Sequence, residues 1–466
     1  MQTIKLLFTS DEHGHIRKAP KIQNLIQKEK AENPNTFLVS SGDVFQGTPE
    51  SDLLGGKPSL DVVREAGYDL IELGNHDFDK GVDFVKSWLK SAEYPVLAGN
   101  VVEESTGKRL PGAKSYQVFD MGGMKMGLIG VVTPETKTSA RAADVEGLKF
   151  LEPGPVVAQA KKELEEQGVE FIGVVSHLGL GDDKKLAEEV KGLDFILGGH
   201  THQVLEKPEK VGDTLICQPG SFRDYLGSLE MQVDEKTGNV VSFDHRLIPT
   251  QEGSEDASTV SEIVQAATQK LDAANSTVVS QSEAPLVHHH YREHSLGYET
   301  AEAMRAVTDT PVALFNLKVQ RADISSGDVT AGELYNALPF PNSVVKARVH
   351  RNDLKNALKL SEKRDDHTSL SRHWTMIEFS NNDGKFELKD MSLTLDPDPK
   401  SEFVEIATTD YIAKGGLGYF QDAEILSEHG LLREVLEQHL DSKDSSDAKF
   451  KNPELSAKQI FANLLV

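Results

Sequence analysis

Residues 157–177 read VAQAKKELEEQGVEFIGVVSH. From Val157 to Gly168 the apolar residues fall at a helical interval, and the stretch stops at a glycine, which ends helices readily because it accepts the left-handed conformation. FIGVVS, from Phe171 to Ser176, is a short apolar run of the kind that forms a strand covered on both faces. That strand ends in His177, a side chain able to bind a metal ion.

The same order extends in both directions. IKLLF, TFLVSS, YDLIEL, YPVLAG, KMGLIGVV and DFILGG are further apolar runs, and KIQNLIQKEKAE and VDFVKSWLKSA are further amphipathic stretches. Alternation of this kind predicts an α/β fold built in layers. Residues 233–249 read as a hairpin with Lys236-Thr237-Gly238-Asn239 at its turn. The polar, acidic QEGSEDAST and the helical pattern VSEIVQAATQKLDAAN then mark residues 251–279 as a linker with a connecting helix. The chain thus divides into a first domain, 1–250, and a second, 280–466. The second is less regular, with a helix near TAEAMRAV, strands near PVALFNL, VVKARVH and EFVEIATT, and a closing helix near AKQIFANLL, an α+β pattern.

The 466 residues carry a formal charge of −24. This argues against binding a nucleic-acid polymer or an anionic membrane through a basic face. It also means that a phosphate substrate would be repelled unless local cations attract it. The lone cysteine, Cys217, excludes an intrachain disulfide and, within LICQPGS, reads as a buried strand residue. MQTIKLLFTSDEHG has no signal-peptide pattern, and no apolar run reaches the roughly 18 residues of a membrane span, so a cytoplasmic location is expected. His288-His289-His290-Tyr291 reads as a polar turn or strand edge rather than a metal site.

Five of the first domain's runs end in residues that bind metals. IKLLFTS ends in Asp11-Glu12-His13, TFLVSSG in Asp43, YDLIELG in Asn75-His76-Asp77, FIGVVS in His177, and DFILGG in His200-Thr201-His202. In open α/β folds the loops beyond the carboxyl ends of the strands converge on a ligand. Singly these motifs have plainer readings: Asp-x-His would also serve as a turn cap, Gly42-Asp43 as a turn, and the double glycine before His200 as a tight bend. Together, Asp11, His13, Asp43, Asn75, His177, His200 and His202 offer oxygen and imidazole nitrogen, a mixture that suits Zn, Mn, Co or Fe rather than Ca. Seven ligands exceed the need of one ion. Two divalent ions sharing a bridging carboxylate would use them, clamp a phosphoryl group and generate hydroxide from water near neutral pH. They would also supply the positive field that the net charge lacks.

In this order the motifs resemble those of the calcineurin-like metallophosphoesterases, over most of residues 4–230. Asn75-His76-Asp77-Phe78-Asp79, Ser326-Gly327-Asp328-Val329-Thr330, Leu338-Pro339-Phe340-Pro341-Asn342 and YIAKGGLGY (Tyr411 to Tyr419) resemble the 5'-nucleotidase and UDP-sugar hydrolase family. The resemblance implies a four-layer α/β/β/α metallophosphoesterase domain followed by a smaller α+β substrate-binding domain. It implies one metal on Asp11, His13, Asp43 and His202, and another on Asp43, Asn75, His177 and His200, with Asp43 bridging. His76 would stabilise the phosphoryl group or the leaving oxygen, and Asp79 would orient it. In the second domain Arg321 would contact phosphate or ribose and Tyr419 would stack on the base, with Trp374 as a second aromatic. Glycines that the family places before this arginine are missing from Asn316-Leu317-Lys318-Val319-Gln320-Arg321, and Leu417 stands where the family often has Asp.

The partner implied is a small-molecule nucleotide, and the reaction is hydrolysis of a nucleoside monophosphate by metal-generated hydroxide. A 2',3'-cyclic nucleotide or a UDP-sugar is the alternative substrate, and a degenerate nucleotide-binding protein is the non-enzymatic alternative. The sequence carries no signal for an oligomeric state.

Overall fold

The computed structural model describes residues 1–357, 375–379 and 402–443, apart from residues 34, 122–123, 141, 236, 255–257, 289–294, 311, 317–318, 355 and 421–422. The chain forms two compact units, Met1–Thr268 and Gln269–Val466.

Two six-stranded sheets make up the first unit. In one, the order is Val240–Pro249, Tyr225–Val233, Gln2–Thr9, Thr36–Ser40, Leu70–Glu72 and Val96–Leu97. In the other it is Glu209–Val211, Thr214–Cys217, Phe195–Gly198, Phe171–His177, Lys125–Val132 and Tyr116–Asp120. The last four strands of the first sheet and the central four of the second run parallel, while antiparallel strands close the remaining edges.

Alternate side chains of these strands serve different cores, as the two-residue period of a pleated strand requires. Leu6, Phe8, Val39, Leu128, Phe171, Val175, Phe195 and Leu197 pack in one cluster where the two sheets meet. Their neighbours Leu7, Leu38 and Ile71 face the other way, onto Ile22, Leu25 and Ile26 of the helix Ala19–Glu32 and Val85, Trp88 and Leu89 of the helix Val82–Ser91. On the second sheet, Ile129, Val131, Ile172, Val174 and Ile196 meet Val157, Ala160 and Leu164 of the helix Pro153–Glu166, and Leu186 and Ala187 of the helix Leu180–Glu189. The result is helix, sheet, sheet, helix. The quoted stretch 157–177 supplies one helix and the strand beside it, and Cys217 is buried at a strand end.

The hairpin at 233–249 has its turn at Asp234–Asn239, where Gly238 takes a left-handed φ of 69°. The unit boundary falls inside the helix Thr259–Asn275, whose Val260 and Ala267 pack on Ile16, Ala19 and Val62. Among the described residues no helix is long and apolar enough to cross a membrane.

The second unit contains a five-stranded sheet in the order Thr375–Phe379, Val312–Asn316, Phe403–Thr409, Ser343–His350 and Glu424–Leu431. Residues of the helices Ser295–Thr308 and Leu432–Lys443 share a core with Ala313, Phe315 and Ala407, and a second core joins Leu314 and Ile406 to Ile412, Tyr419 and Phe420. Thr330 and Glu333 start the helix Ala331–Ala337 with a reciprocal capping box. The helix expected near AKQIFANLL lies outside the described residues.

Candidate active site

The strand tips of the first unit bring all seven expected ligands together. Asp11 is 0 % exposed, Asp43 1 % and His177 0 %. One ligand atom each from Asp11, His13 and His202 lie within 4.8 Å of one another, as do atoms from Asp11, Asp43 and His177. Asp43 Oδ2 is 3.1 Å from His177 Nε2 and 3.6 Å from His13 Nε2, so this carboxylate lies between the two histidines. Asp11 Oδ1 is 3.4 Å from His202 Nε2 and 3.9 Å from His177 Nε2. His200 Nδ1 and Asn75 Oδ1 converge at 2.9 Å.

The backbone is strained to achieve this. Asp11, His13, Asp43, His200 and His202 all have positive φ, between 46° and 74°. Non-glycine residues in that region cost on the order of 1–3 kcal/mol each and persist where the surroundings over-determine them. The turns are laced together: Asp11 N donates to Gly42 O at 2.9 Å and His13 N to Asp43 O at 2.8 Å. Gly42 and Gly74 let the second and third loops approach, since a Cβ on Gly74 would overlap Asp43 Oδ1.

Two of the histidines are also held from behind. His13 Nδ1 donates to Gln46 O at 2.8 Å and His177 Nδ1 to Ser41 O at 2.6 Å. These bonds fix the tautomer that turns the Nε2 lone pair inward, the usual arrangement of a metal-binding histidine. His177 Nε2 is buried and faces Asp43 Oδ2 at 3.1 Å. Burial lowers His13 to about 3 and His200 to about 4, which keeps both neutral and able to donate to a cation. At His177 burial is outweighed by Asp43 and Asp11, which push it up to about 10, so without a metal this ring carries a proton that an arriving cation would displace to free Nε2. Two buried carboxylates this close are costly unless positive charge joins them, whether a proton on His177 or a bound cation. The donor set therefore fits divalent metal.

His76 stands at the rim. Its Nδ1 lies 2.7 Å from Asp79 Oδ2, and its backbone amide donates to Asp43 Oδ1 at 2.8 Å. The carboxylate thereby sets the ring's orientation.

Several supporting residues carried no role in the sequence reading. Asp77 accepts from the amides of Asp43 at 3.0 Å, Val44 at 2.8 Å and Gly74 at 2.8 Å, and so binds two loops into one. Asp183 accepts from Ser176 and from Gln218, which also donates to Gly199 O at 3.3 Å. Phe222 packs against His13, His15 and His202, with centroids 4.6–5.6 Å apart. It lies in the loop after the strand ending at Cys217, the same strand-end position that flagged the ligands.

In the second unit Arg321 is exposed and its guanidinium lies 5.0 Å from the centre of the Phe340 ring. Tyr419 is 4 % exposed and packs in the core with Ile412 and Phe420. The energy of burying an aromatic ring holds it there, so a base could stack on it only if this segment opened. Trp374 lies outside the described residues.

This layered sandwich with its ligand-bearing strand tips is that of a phosphoesterase: residues 4–204 match the family model of calcineurin-like phosphoesterases. Residues 272–423 match the 5'-nucleotidase C-terminal domain. The chain belongs to the calcineurin-like phosphoesterases that carry this second domain, a family of hydrolases of phosphoric esters that use divalent metals. It is 26 % identical to the trifunctional nucleotide phosphoesterase protein YfkN of Bacillus subtilis over 76 % of its length, and 23 % identical to UshA of Yersinia enterocolitica over 91 %. It spans 27 % of the length of YfkN and 29 % of that of the endonuclease YhcR, against 90 % of UshA. The crystal structure of the 5'-nucleotidase precursor from Thermus thermophilus superposes with a TM-score of 0.82 at 25 % identity, covering 95 % of this chain and 97 % of that one.

Proposed function

We propose that this chain is a metal-dependent phosphohydrolase that releases phosphate from nucleoside monophosphates, using two divalent ions drawn from Zn, Mn, Co and Fe. The observation that carries the reading is the position of Asp43 between His13 and His177, in a chain that also carries a 5'-nucleotidase C-terminal domain. Asp11, His13, Asp43 and His202 would hold one ion, and Asp43, Asn75, His177 and His200 the other. When bound, the metal pair attracts the phosphoryl group and makes water acidic enough to serve as nucleophile near neutral pH.

The chain's own residues do the rest. His76, turned by Asp79, donates a hydrogen bond to the phosphoryl group or the departing oxygen as charge develops there. The amide bond from His76 to Asp43 keeps this ring in register with the ligands. Asp77 keeps the loops of Asp43 and Asn75 at constant separation. In the second unit the exposed Arg321 and the half-buried Phe340 offer a cation and an aromatic edge to a nucleotide.

A second reading keeps the centre and changes the bond, to a 2',3'-cyclic nucleotide or a UDP-sugar. The missing glycines before Arg321 favour it, as does the likeness to a relative named trifunctional. Turnover of AMP and UMP, read as phosphate released, against turnover of 2',3'-cyclic AMP and UDP-glucose, read as 2'- or 3'-AMP and UMP formed, each with Mn or Zn, separates the two by relative kcat/KM. No release from any monophosphate would overturn the first reading.

A further inference from the structure

Asp11 and His13 flank a residue to which the metal centre assigns no task. Glu12 is fully buried, yet its carboxylate bonds to hydroxyls rather than to ligands. Thr9 Oγ1 donates to Oε1 at 2.6 Å and Tyr68 OH to the same oxygen at 3.2 Å. Ser40 Oγ bridges both oxygens, at 3.0 and 3.1 Å. These donors come from the first strand, the second strand and the segment entering the third. Glu12 thus anchors its turn to three neighbouring segments.

A second strained turn meets the first. Phe222 and Arg223 are consecutive left-handed residues, with φ of 58° and 55°, and Phe222 N donates to Asp11 O at 2.7 Å. Arg223 is 2 % exposed, and neither Nη1 nor Nη2 has a hydrogen-bond partner among the described residues. Burial pushes the Glu12 carboxyl up, and the charge of Arg223 is foremost among the groups that pull it back. Removing either charge would leave the other buried and uncompensated.

We propose that Glu12 is a positioning residue of the metal centre: bound by Thr9, Ser40 and Tyr68, it holds the strained turn that aims Asp11 and His13 at the metal. Residues that orient ligands from behind control metal affinity without touching the ion. Without Glu12, Asp11 and His13 lose one of the restraints that keep them left-handed, so their ligand atoms converge less closely. The inference rests on the metal-centre reading above but not on which ester is cleaved.

The test is a calorimetric Mn titration of the metal-stripped full chain, with a thermal melt of each metal-free variant. Glu12→Gln is expected to weaken Mn binding roughly 10–100-fold. The double variant Glu12→Gln/Arg223→Met, which removes both charges, is expected to regain much of that loss. Should Glu12→Gln fail to fold, Ser40→Ala removes one donor, leaves the charge, and is expected to weaken binding about threefold or more by the same logic. A variant that melts lower but binds Mn as the wild type does would overturn the inference and leave the phosphohydrolase reading standing. Wild-type protein that binds no Mn would overturn both.

Discussion

His177 Nε2 lies 3.1 Å from Asp43 Oδ2, with both side chains out of reach of solvent. An imidazole and a carboxylate from different sheets are thereby fixed against one another at the point where the two ligand clusters adjoin. The relationship makes Asp43 the most consequential single side chain of the site.

Asp43→Asn is expected to abolish the shared position and lower phosphate release at least about 100-fold, with metal content falling in parallel. Elemental analysis of the purified variant checks this. Chelation of the wild type should act in the same direction. Returning free Mn to roughly 100 times its Kd should restore about 2.7 kcal/mol of stability, seen as a rise in Tm.

Replacing the residue that faces the phosphoryl group should separate chemistry from metal binding. His76→Ala is expected to lower kcat about 10²–10⁴-fold while the Mn affinity stays within experimental error. Asp79→Asn should give a smaller fall in kcat, because it loosens the ring without removing it. A large loss of metal in either variant would contradict this division of labour.

Gly74→Ala tests the close approach of the loops. The added methyl would collide with Asp43 Oδ1, so something must shift. The expected result is a destabilisation of about 1–3 kcal/mol together with weakened metal binding. A variant with wild-type Tm and activity would show that the loops have more room than their spacing implies.

Asp194 gives a pH dependence remote from the metal. Burial pushes its carboxyl from 3.8 up to about 7, against the pull of the Ile172 amide, which it accepts at 2.7 Å, and of Lys161. A group whose folded pKa is raised contributes stability that is complete below its unfolded pKa and is lost as pH rises through the folded one. The wild type should therefore lose stability relative to Asp194→Asn between pH 3.8 and about 7. Melting both proteins at pH 5.5 and pH 8 checks the sign: the variant's advantage should be larger at pH 8.

The ligand residues were legible because their signal is local. A strand whose apolar run breaks off at Asp11, Asp43, His177 or His200 announces both the element and the chemistry at its tip. The hairpin at 233–249 and the layered alternation were legible for the same reason, since period and turn composition act over a few residues. Tyr419 was not, because a GGLGY segment reads alike whether its ring is offered to a ligand or packed beside Ile412 and Phe420. Asp77 and Asp183 stood in plain view as acidic residues, but the amides and hydroxyls that make them braces come from other loops.

By itself the sequence determined which residue types would meet at the ends of the first domain's strands, and with them the resemblance to calcineurin-like phosphoesterases. Only the tertiary structure decided how they meet. It placed Asp43 between two histidines, turned the Nδ1 atoms of His13 and His177 onto carbonyls of distant loops, and sent Glu12 toward three hydroxyls while its neighbours Asp11 and His13 turned toward His202. The physical reason is that strand and helix formation are governed by neighbours in the chain. Backbone and side-chain direction in a strained turn is governed by hydrogen bonds that reach it from more than 200 residues away, as Phe222 N reaches Asp11 O.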